Sequence, residues 1–322
     1  MTWGQRERAA VVALTLLHGA KELGLSSAQL RANLDRGNNP WAVLAGDDTG
    51  PGTEDGLFPR PSATQDHEAG TVRQRLIAQA YELMAAWDRA GHRFVTFFDD
   101  AYPQQLSTAF DNPLLLFYAG SLADDFASFA IVGSRQPSEQ GVRFAAALAD
   151  TAARNDLTVV SGLARGIDRA AHQAALDADG RTVAVIGTGP DKFYPAEHEP
   201  LQRRIAVDGL VVTQFPPGAT PTRATFPMRN ATMSAYSALT VIVEAGEKSG
   251  TKIQAAAAVK HGRPLVLTRQ VATGTSWGRK YLDEGYDVTV AATPDDAMNA
   301  VQRVLSRSSR VLQWAVGSTD TR

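Results

Sequence analysis

Three short segments decide the fold of this chain: AIVGSR at residues 130–135, VVSGLARGIDRAAH at residues 159–172 and TVAVIGTGPDKFYP at residues 182–195. In each of them an apolar run rich in β-branched residues stops at a glycine, and a polar loop follows. After the first two loops the sequence has helical character. Strands of parallel α/β sheets end in this way, and glycine lets the backbone N–H groups of such loops approach an anion. The sequence therefore predicts nucleotide- or phosphate-binding loops at the carboxyl ends of parallel strands.

Strands and helices alternate around these segments. Apolar runs predict strands near residues 129–132, 157–161, 182–186, 210–213, 239–243 and 264–268, with a further strand over 287–290. Helices are predicted near residues 141–154, 167–178, 199–207, 229–236 and 251–261. The strands are apolar on both faces, which is typical of a parallel sheet covered by helices on both sides. The predicted fold class is α/β, with a doubly wound, mostly parallel Rossmann-like sheet and a small N-terminal helical domain.

The chain divides by composition into three parts. Residues 1–90 are predicted to form the helical domain, interrupted by a loop over residues 46–65 that is dense in Gly, Pro and Asp. Within that domain, residues 71–89 carry an apolar stripe at helical spacing. Residues 91–293 are predicted to form the core, and residues 294–322 a C-terminal helix and tail. We expect the first ninety residues and the core to behave as separable units.

Composition limits the classes of function. The 322 residues are 44% hydrophobic and 20% charged, as in an ordinary soluble domain, and include no cysteine, which excludes disulfides and cysteine metal sites. No signal peptide is recognisable, and the apolar run Ala9–Leu17 is too short to span a bilayer. We therefore expect a cytoplasmic protein without membrane attachment. Because the net charge is −2, nucleic acid would have to bind to a local cluster of basic groups.

A series of motifs resembles one protein family. The motifs are GSR at 133–135, SGLARGID at 161–168, AH at 171–172, GTG at 187–189, YP at 194–195, FPMRN at 226–230 and VEAGEKSG at 243–250. Their order is similar to that in the DNA-processing protein A (DprA or Smf) family of single-strand DNA-binding proteins, from about Tyr102 to Val290. The resemblance implies a Rossmann-like core, single-stranded DNA as the ligand and a DNA contact by the arginine of GSR, which is Arg135 here.

The predicted binding residues all lie on loops that follow strands or open helices. As DNA- or phosphate-binding residues we predict Gly133, Ser134, Arg135, Ser161, Gly162, Arg165, Gly187, Gly189, Lys192, Arg229, Asn230, Ser249, Gly250 and Thr251. The hydroxyl, guanidinium, ammonium and backbone N–H groups of these residues suit phosphate. Because Arg135 and Arg229 are expected outside the core, replacing either is expected to leave the thermal midpoint nearly unchanged.

Other polar and aromatic residues have competing interpretations. Glu244 is predicted to orient Arg229 or Arg135, or to form a buried ion pair. Asp168 is interpreted as a helix cap or a partner of Arg165, and His172 as a packed residue, since a metal site would need a third ligand that the sequence does not indicate.

The aromatic residues of the third segment have alternatives of their own. Phe193 is interpreted as a core residue rather than a stacking surface. Tyr194 is equally consistent with a core anchor and with a surface on which a base stacks.

Three segments depart from the family pattern. Arg229-Asn230-Ala231 lacks the second basic residue of the family's RNR, and Thr213-Gln214 replaces Ser-Glu. The PG that follows a later strand in the family is also replaced, since this chain reads LTRQVATG there.

Three functions fit the sequence. The first is a non-enzymatic single-strand DNA-binding protein, a homodimer that acts with a RecA-type recombinase in DNA uptake, recombination or repair. The second is a sensor of a nucleotide signal. The third, hydrolysis of nucleoside monophosphates, is disfavoured because Gln254 stands where related hydrolases carry a catalytic glutamate. No cofactor and no metal are predicted.

Overall fold

The computed structural model describes residues 4–17, 40–45 and 63–317. These residues form two compact units. The first comprises Met1–Tyr102 with Leu114–Leu116, and the second comprises Pro103–Pro113 with Phe117–Arg322.

The first unit contains helices α1 (Gln5–Thr15), α2 (Pro40–Ala45) and α3 (Ala63–Arg89) and strand β1 (Arg93–Thr96). Helix α1 packs on the other two helices, and its residues from Ala9 to Leu14 are buried. The helix predicted over residues 71–89 is confirmed, although it begins earlier. Most of the predicted loop, residues 46–62, lies outside the described residues.

Contacts beyond residue 90 explain why this unit ends at Tyr102. The rings of Trp87 and Phe94 meet edge to face, with centroids 5.5 Å apart. Asp99 is buried and accepts hydrogen bonds from Arg8 Nε at 2.9 Å and from Thr96 N at 2.7 Å. The compact unit thus includes the segment that follows α3, and its ability to fold independently stays a prediction.

The second unit contains the remaining elements. Its strands are β2 (Leu115–Gly120, from Phe117 onward), β3 (Ser128–Val132), β4 (Thr158–Ser161), β5 (Thr182–Val185), β6 (Leu210–Thr213), β7 (Thr240–Ile242), β8 (Leu265–Thr268) and β9 (Val288–Ala291). Its helices are α4 (Gln104–Ser107), α5 (Glu139–Arg154), α6 (Ile167–Asp177), α7 (Glu199–Asp208), α8 (Thr225–Tyr236), α9 (Thr251–Lys260), α10 (Arg269–Gly274), α11 (Ser276–Asp283) and α12 (Pro294–Gly317). A 3-10 turn, Ala196–His198, precedes α7.

These strands are hydrogen-bonded in the order β2-β6-β5-β4-β3-β7-β8-β9. All neighbours are parallel except β2 and β6, which are antiparallel. From β3 the chain proceeds outward through β4, β5 and β6, and then returns to place β7 on the other side of β3. The carboxyl ends of β3, β4 and β7 consequently surround a topological switch point, where ligands of such sheets bind. The predicted doubly wound, mostly parallel sheet is confirmed.

Both faces of the sheet are buried, since every residue of β4, β5 and β6 is buried. Two neighbouring apolar clusters cover one of these faces: the first includes Phe129, Ile131 and Leu148, and the second includes Leu163 and Ile205. Buried residues of α12, among them Met298 and Val301, belong to the first cluster, so the C-terminal helix is part of the core of the second unit.

Residues 267–274, which read LTRQVATG where the family has PG, form the end of strand β8 and helix α10.

Among the described residues, none of the helices combines the length and the apolar composition that a membrane span needs.

Candidate functional site

A cavity of about 680 Å³ opens at the switch point, beside the carboxyl ends of β3 and β7. Most of the predicted residues line it, namely Gly133, Ser134, Arg135, Arg165, Arg229, Asn230, Ser249, Gly250 and Thr251. Gly162 and Gly187 line an adjoining narrow pocket of about 40 Å³. Ser161, Gly189 and Lys192 line neither space. The volume is in the range of small-molecule sites and suits one nucleotide.

The loop from Gly133 to Ser138 follows β3. Ser134 N donates to the backbone oxygen of Glu244 at 2.7 Å, and Ser134 Oγ accepts from Gln136 N at 3.1 Å. A Cβ on Gly133 would lie 2.6 Å from Ile167 Cγ1, so this glycine is needed for the close packing of α6 on β3. Arg135 is exposed, and its guanidinium lies 5.5 Å from the ring centroid of Phe226. The loop therefore presents one cation to the cavity.

Glu244 holds this loop rather than an arginine. Its carboxylate accepts hydrogen bonds from Ser138 Oγ at 2.6 Å and from Ser138 N at 3.0 Å, and the residue is 9% exposed. Ser138 is the N-cap of α5. The prediction that Glu244 orients Arg229 or Arg135 is wrong, because the adjacency of β7 and β3 brings Glu244 to the first turn of α5. A protein carboxylate thus already accepts the hydrogen bonds of the N-cap residue of that helix, Ser138.

Asp168 holds the loop from Ser161 to Gly166 in the same manner. Its Oδ2 accepts from Gly162 N at 3.1 Å and from Ala164 N at 3.3 Å. Burial raises the pKa of Asp168, against the opposing effects of the Arg229 charge and of these two N–H groups. Asp168 is therefore a cap of the preceding loop, and it is not the partner of Arg165.

The partner of Arg165 is Glu197. Arg165 Nε donates to Glu197 Oε1 at 2.5 Å, and both side chains are more than half exposed. This hydrogen bond lowers the pKa of Glu197 to about 2. Arg165 thus lines the cavity as a cation that is already paired.

Arg229 is buried. It lies on α8, is 6% exposed and donates from Nη1 to the backbone oxygen of Val185 at 3.2 Å. A Cβ on Gly162 would come within 1.3 Å of Nη1, so the guanidinium lies directly against that glycine. Burial lowers the pKa of Arg229, whereas the negative charge of Asp168 raises it. The expectation that Arg229 lies outside the core is wrong, because α8 begins before it and packs it inward.

His172 is a packed residue, as predicted. It is fully buried, and its Nδ1 lies 2.7 Å from Thr182 Oγ1. Burial, with the charge of Arg229, lowers the pKa of His172 to about 3, so the imidazole is neutral at physiological pH. No cluster of three or more His, Asp or Glu residues suited to a metal occurs in the part of the chain that the structure describes.

The loop between β7 and α9 differs from the two loops held by carboxylates. Thr251 N donates to Ser249 Oγ at 3.2 Å, and the hydroxyls of Ser249 and Thr251 are 2.7 Å apart. The acid of this loop, Glu247, instead accepts from Ser276 N at 2.8 Å at the start of α11. Lys248 is exposed and lines the cavity. The N-terminus of α9 is therefore bordered by hydroxyls and a cation, which suits an anion.

Lys192 lies away from the cavity. Its Nζ is 3.4 Å from Asp191 Oδ2, and the adjacent Gly189 is needed for a close approach, since a Cβ there would lie 2.5 Å from Pro216 O. The loop after β5 thus contributes to the structure of this region and does not supply a cation to the cavity.

An aromatic pair, Phe226 and Tyr194, borders the adjoining narrow pocket instead, and Phe226 also lines the cavity. Tyr194 is 44% exposed, and its ring centroid is 5.6 Å from that of Phe226. Phe193 lies under the guanidinium of Arg203 at 4.7 Å. Tyr194 is thus a surface residue, whereas Phe193 is half-buried beside Arg203. Phe226, Lys248 and Gln254 all line the cavity and were not predicted as binding residues, although FPMRN and VEAGEKSG contain the first two.

The departures at residues 213–214 have structural roles. Thr213 Oγ1 donates to Thr188 O at 2.8 Å, and Gln214 Oε1 accepts from Thr232 Oγ1 at 2.7 Å. Thr213 thus holds the loop after β5 in place, and Gln214 holds helix α8.

Comparison with known proteins agrees with the motif pattern. The model of the DNA recombination-mediator protein A family matches residues 93–302. The chain is 41% identical over 186 residues to the DNA processing protein DprA of Streptococcus pneumoniae, covering 57% of this chain and 66% of the relative. It is 40% identical over 220 residues to a putative DprA of Mycobacterium tuberculosis, covering 64% of this chain and 57% of the relative. The chain spans about half to two thirds of the length of the curated relatives it matches.

Two solved structures share the fold. The crystal structure of DprA from Streptococcus pneumoniae superposes with a TM-score of 0.64 and 27% identity, over 93% of this chain and 98% of that one. A DNA processing protein A from Helicobacter pylori superposes with a TM-score of 0.57 and 24% identity, over 66% of this chain and 96% of that one, and shows the fold. With more than half of its length matched by the family model, the chain belongs to the DNA recombination-mediator protein A family.

Proposed function

We propose that this protein binds single-stranded DNA at the cavity and its rim, in DNA uptake, recombination or repair. One observation carries the proposal: Arg135, Lys248 and the N-terminus of α9 border a cavity beside which the half-buried Phe226 and the exposed Tyr194 form an aromatic pair. The family supports it, and the Helicobacter pylori relative is described as having a single-stranded DNA binding mode. A net charge of −2 makes such a local cluster necessary.

Phosphates and bases would use different parts of the site. Arg135 and Lys248 are exposed cations that can each contact a phosphate, and the hydroxyls of Ser249 and Thr251 stand beside them. Tyr194 and Phe226 offer an apolar surface on which bases stack, a contact worth about 1–3 kcal/mol per base. Binding through phosphates and stacking would tolerate most sequences.

A salt titration tests the proposal. We expect a single-stranded oligonucleotide to bind more tightly than the corresponding duplex, and its affinity to fall with salt at a slope of about −0.7 per phosphate contacted. Fluorescence anisotropy with both labelled forms measures this. An affinity independent of salt, or a preference for the duplex, would contradict the proposal.

We further propose that the protein acts as a binder without catalysis, in the cytoplasm, as a homodimer that helps to load a RecA-type recombinase. Two carboxylates of this region support the absence of catalysis, because Asp168 and Glu244 both accept hydrogen bonds from donors of the protein itself. Sedimentation of the protein, alone and with a RecA-type recombinase on single-stranded DNA, tests the assembly. Incubation with AMP, which should release no adenine, tests the absence of hydrolysis.

A nucleotide sensor is the second candidate. The volume of about 680 Å³ favours it, since one nucleotide fits such a space. Displacement of a bound oligonucleotide by micromolar mononucleotide would support this function, and no displacement at millimolar concentration would exclude it.

A further inference from the structure

Gln254 is a buried amide in the wall of the cavity. It lies on α9, three residues after Thr251, and is 1% exposed. Its Nε2 donates to Thr240 Oγ1 at a long 3.4 Å, and within the described part of the chain its Oε1 has no hydrogen-bond partner. Buried amide oxygens are normally hydrogen-bonded, so this group calls for an explanation.

A second unpartnered atom belongs to the same wall. Arg229 Nε is buried and likewise has no acceptor among the described residues, although Nη1 of that guanidinium is bonded. The wall thus contains an unpaired acceptor on α9 and an unpaired donor on α8. Because leaving such groups unpaired is unfavourable, a ligand that supplies both a donor and an acceptor would be selected.

We propose that Gln254 hydrogen-bonds the edge of one nucleobase that enters this cavity, an inference that rests on the proposed binding of single-stranded DNA. A phosphodiester cannot be the partner of the glutamine oxygen, because it offers acceptors and no donor. The Watson–Crick edge of every DNA base carries an N–H donor beside an acceptor, and a glutamine amide pairs with an edge of this kind in the same plane. Rotation about the last side-chain bond exchanges Oε1 and Nε2, so the amide can adapt to the base.

The position of Gln254 on α9 fits one nucleotide. Residues three apart on a helix lie on one face, with Cβ atoms about 5–6 Å from each other. A phosphate at Thr251, at the start of the helix, would leave its own base within reach of Gln254 one turn further on. The exposed Arg135 and Lys248 would hold the phosphates on either side.

The test compares two oligonucleotides of equal length, one with bases and one made entirely of abasic sugar phosphates. Gln254→Met replaces the amide by an apolar group of similar size. We expect the variant to bind the base-containing strand about three- to tenfold more weakly and the abasic strand unchanged. Its thermal midpoint without DNA should not fall, because a buried oxygen without a partner is removed. Arg135→Ala, in contrast, should weaken both strands by the same factor.

The outcomes separate this inference from the function on which it rests. An equal loss for both strands, or no loss for either, would overturn the inference and leave the DNA-binding function standing. Failure of the unaltered protein to bind either strand would overturn the function itself. If Gln254→Met does not fold, the unaltered protein still tests the inference. Equal affinities of the unaltered protein for the base-containing strand and the abasic strand would overturn it.

Discussion

The loops after β3 and β4 and the loop after β7 look alike in sequence, yet they differ in what occupies their donors. In the first two, Glu244 and Asp168 accept the hydrogen bonds of the loop backbone. In the loop after β7, the hydroxyls of Ser249 and Thr251 take this place, and Glu247 hydrogen-bonds the start of α11 instead. A glycine-rich loop before a helix is therefore not by itself an anion site, because a carboxylate of the protein itself can take the place of the anion. The predictions below test this difference.

The largest expected effect is on stability, at the loop held by Asp168. Arg229→Met should lower the free energy of unfolding by about 3 kcal/mol, because it leaves the buried Asp168 carboxylate without the neighbouring positive charge. Urea unfolding without DNA measures the loss. Arg135→Ala is the matched control, since that arginine is exposed, and it should unfold like the unaltered protein. Equal stability of all three proteins would contradict the buried role of Arg229.

Acid should weaken the same region through His172. Its pKa is lowered from 6.5 to about 3 in the folded protein, so the unfolded chain binds the proton more readily and stability falls as the pH drops below 6.5. Between pH 7 and pH 4.5 this residue should remove about 2–3 kcal/mol.

The raised pKa of Asp168 acts in the opposite direction, because the folded protein takes up that proton more readily than the unfolded chain. Urea unfolding at both pH values, for the unaltered protein and His172→Gln, isolates the histidine. A pH dependence that is the same in both proteins would show that His172 is not responsible.

DNA binding should depend on Lys248, the cation of the β7–α9 loop, and not on Lys192, the cation of the loop after β5. Lys248→Ala should weaken single-stranded DNA binding about tenfold and reduce the salt slope by about 0.7, since one phosphate contact is lost. Lys192→Ala is the matched control, because that ammonium lies outside the cavity beside Asp191. Anisotropy titrations at several salt concentrations measure both, and equal effects of the two substitutions would place the site elsewhere.

The smallest expected effect distinguishes the two kinds of loop most directly. Glu244→Gln should lower stability by about 1–2 kcal/mol, because charge-assisted hydrogen bonds to Ser138 are weakened. DNA affinity should not fall, and should rise slightly, since a negative charge is removed beside the site. Thermal unfolding and anisotropy of the same preparation measure the two effects. A loss of affinity without a loss of stability would make Glu244 a ligand contact.

Much of the fold could be predicted because the signal is local. Strands such as TVAV at residues 182–185 are short, apolar on both faces and stopped by glycine, so period and length identify them. The antiparallel strand β2 was not predicted, because an apolar run does not reveal the direction of its neighbour. The helix α10 was not predicted either, since its segment was read only as a departure from a motif.

The site could be predicted in part. Arg135 and the Ser249–Thr251 turn were identified because glycine and hydroxyl residues after a strand indicate a loop at the sheet edge. Arg229 was misplaced, because its motif does not show which side of α8 faces inward. Gln254 was read only as the absence of a carboxylate, and its position in the cavity wall depends on how α9 packs.

The sequence by itself determined that the chain forms a doubly wound sheet with glycine loops at one edge, since apolar period and glycine position act over a few residues. Only the tertiary structure decided which of those loops can hold an anion. Glu244 reaches the start of α5, 106 residues away from it at Ser138, because β7 lies beside β3 in the sheet. Whether a helix end carries a protein carboxylate or a free cation depends on strand order, and strand order is fixed by packing across the whole chain.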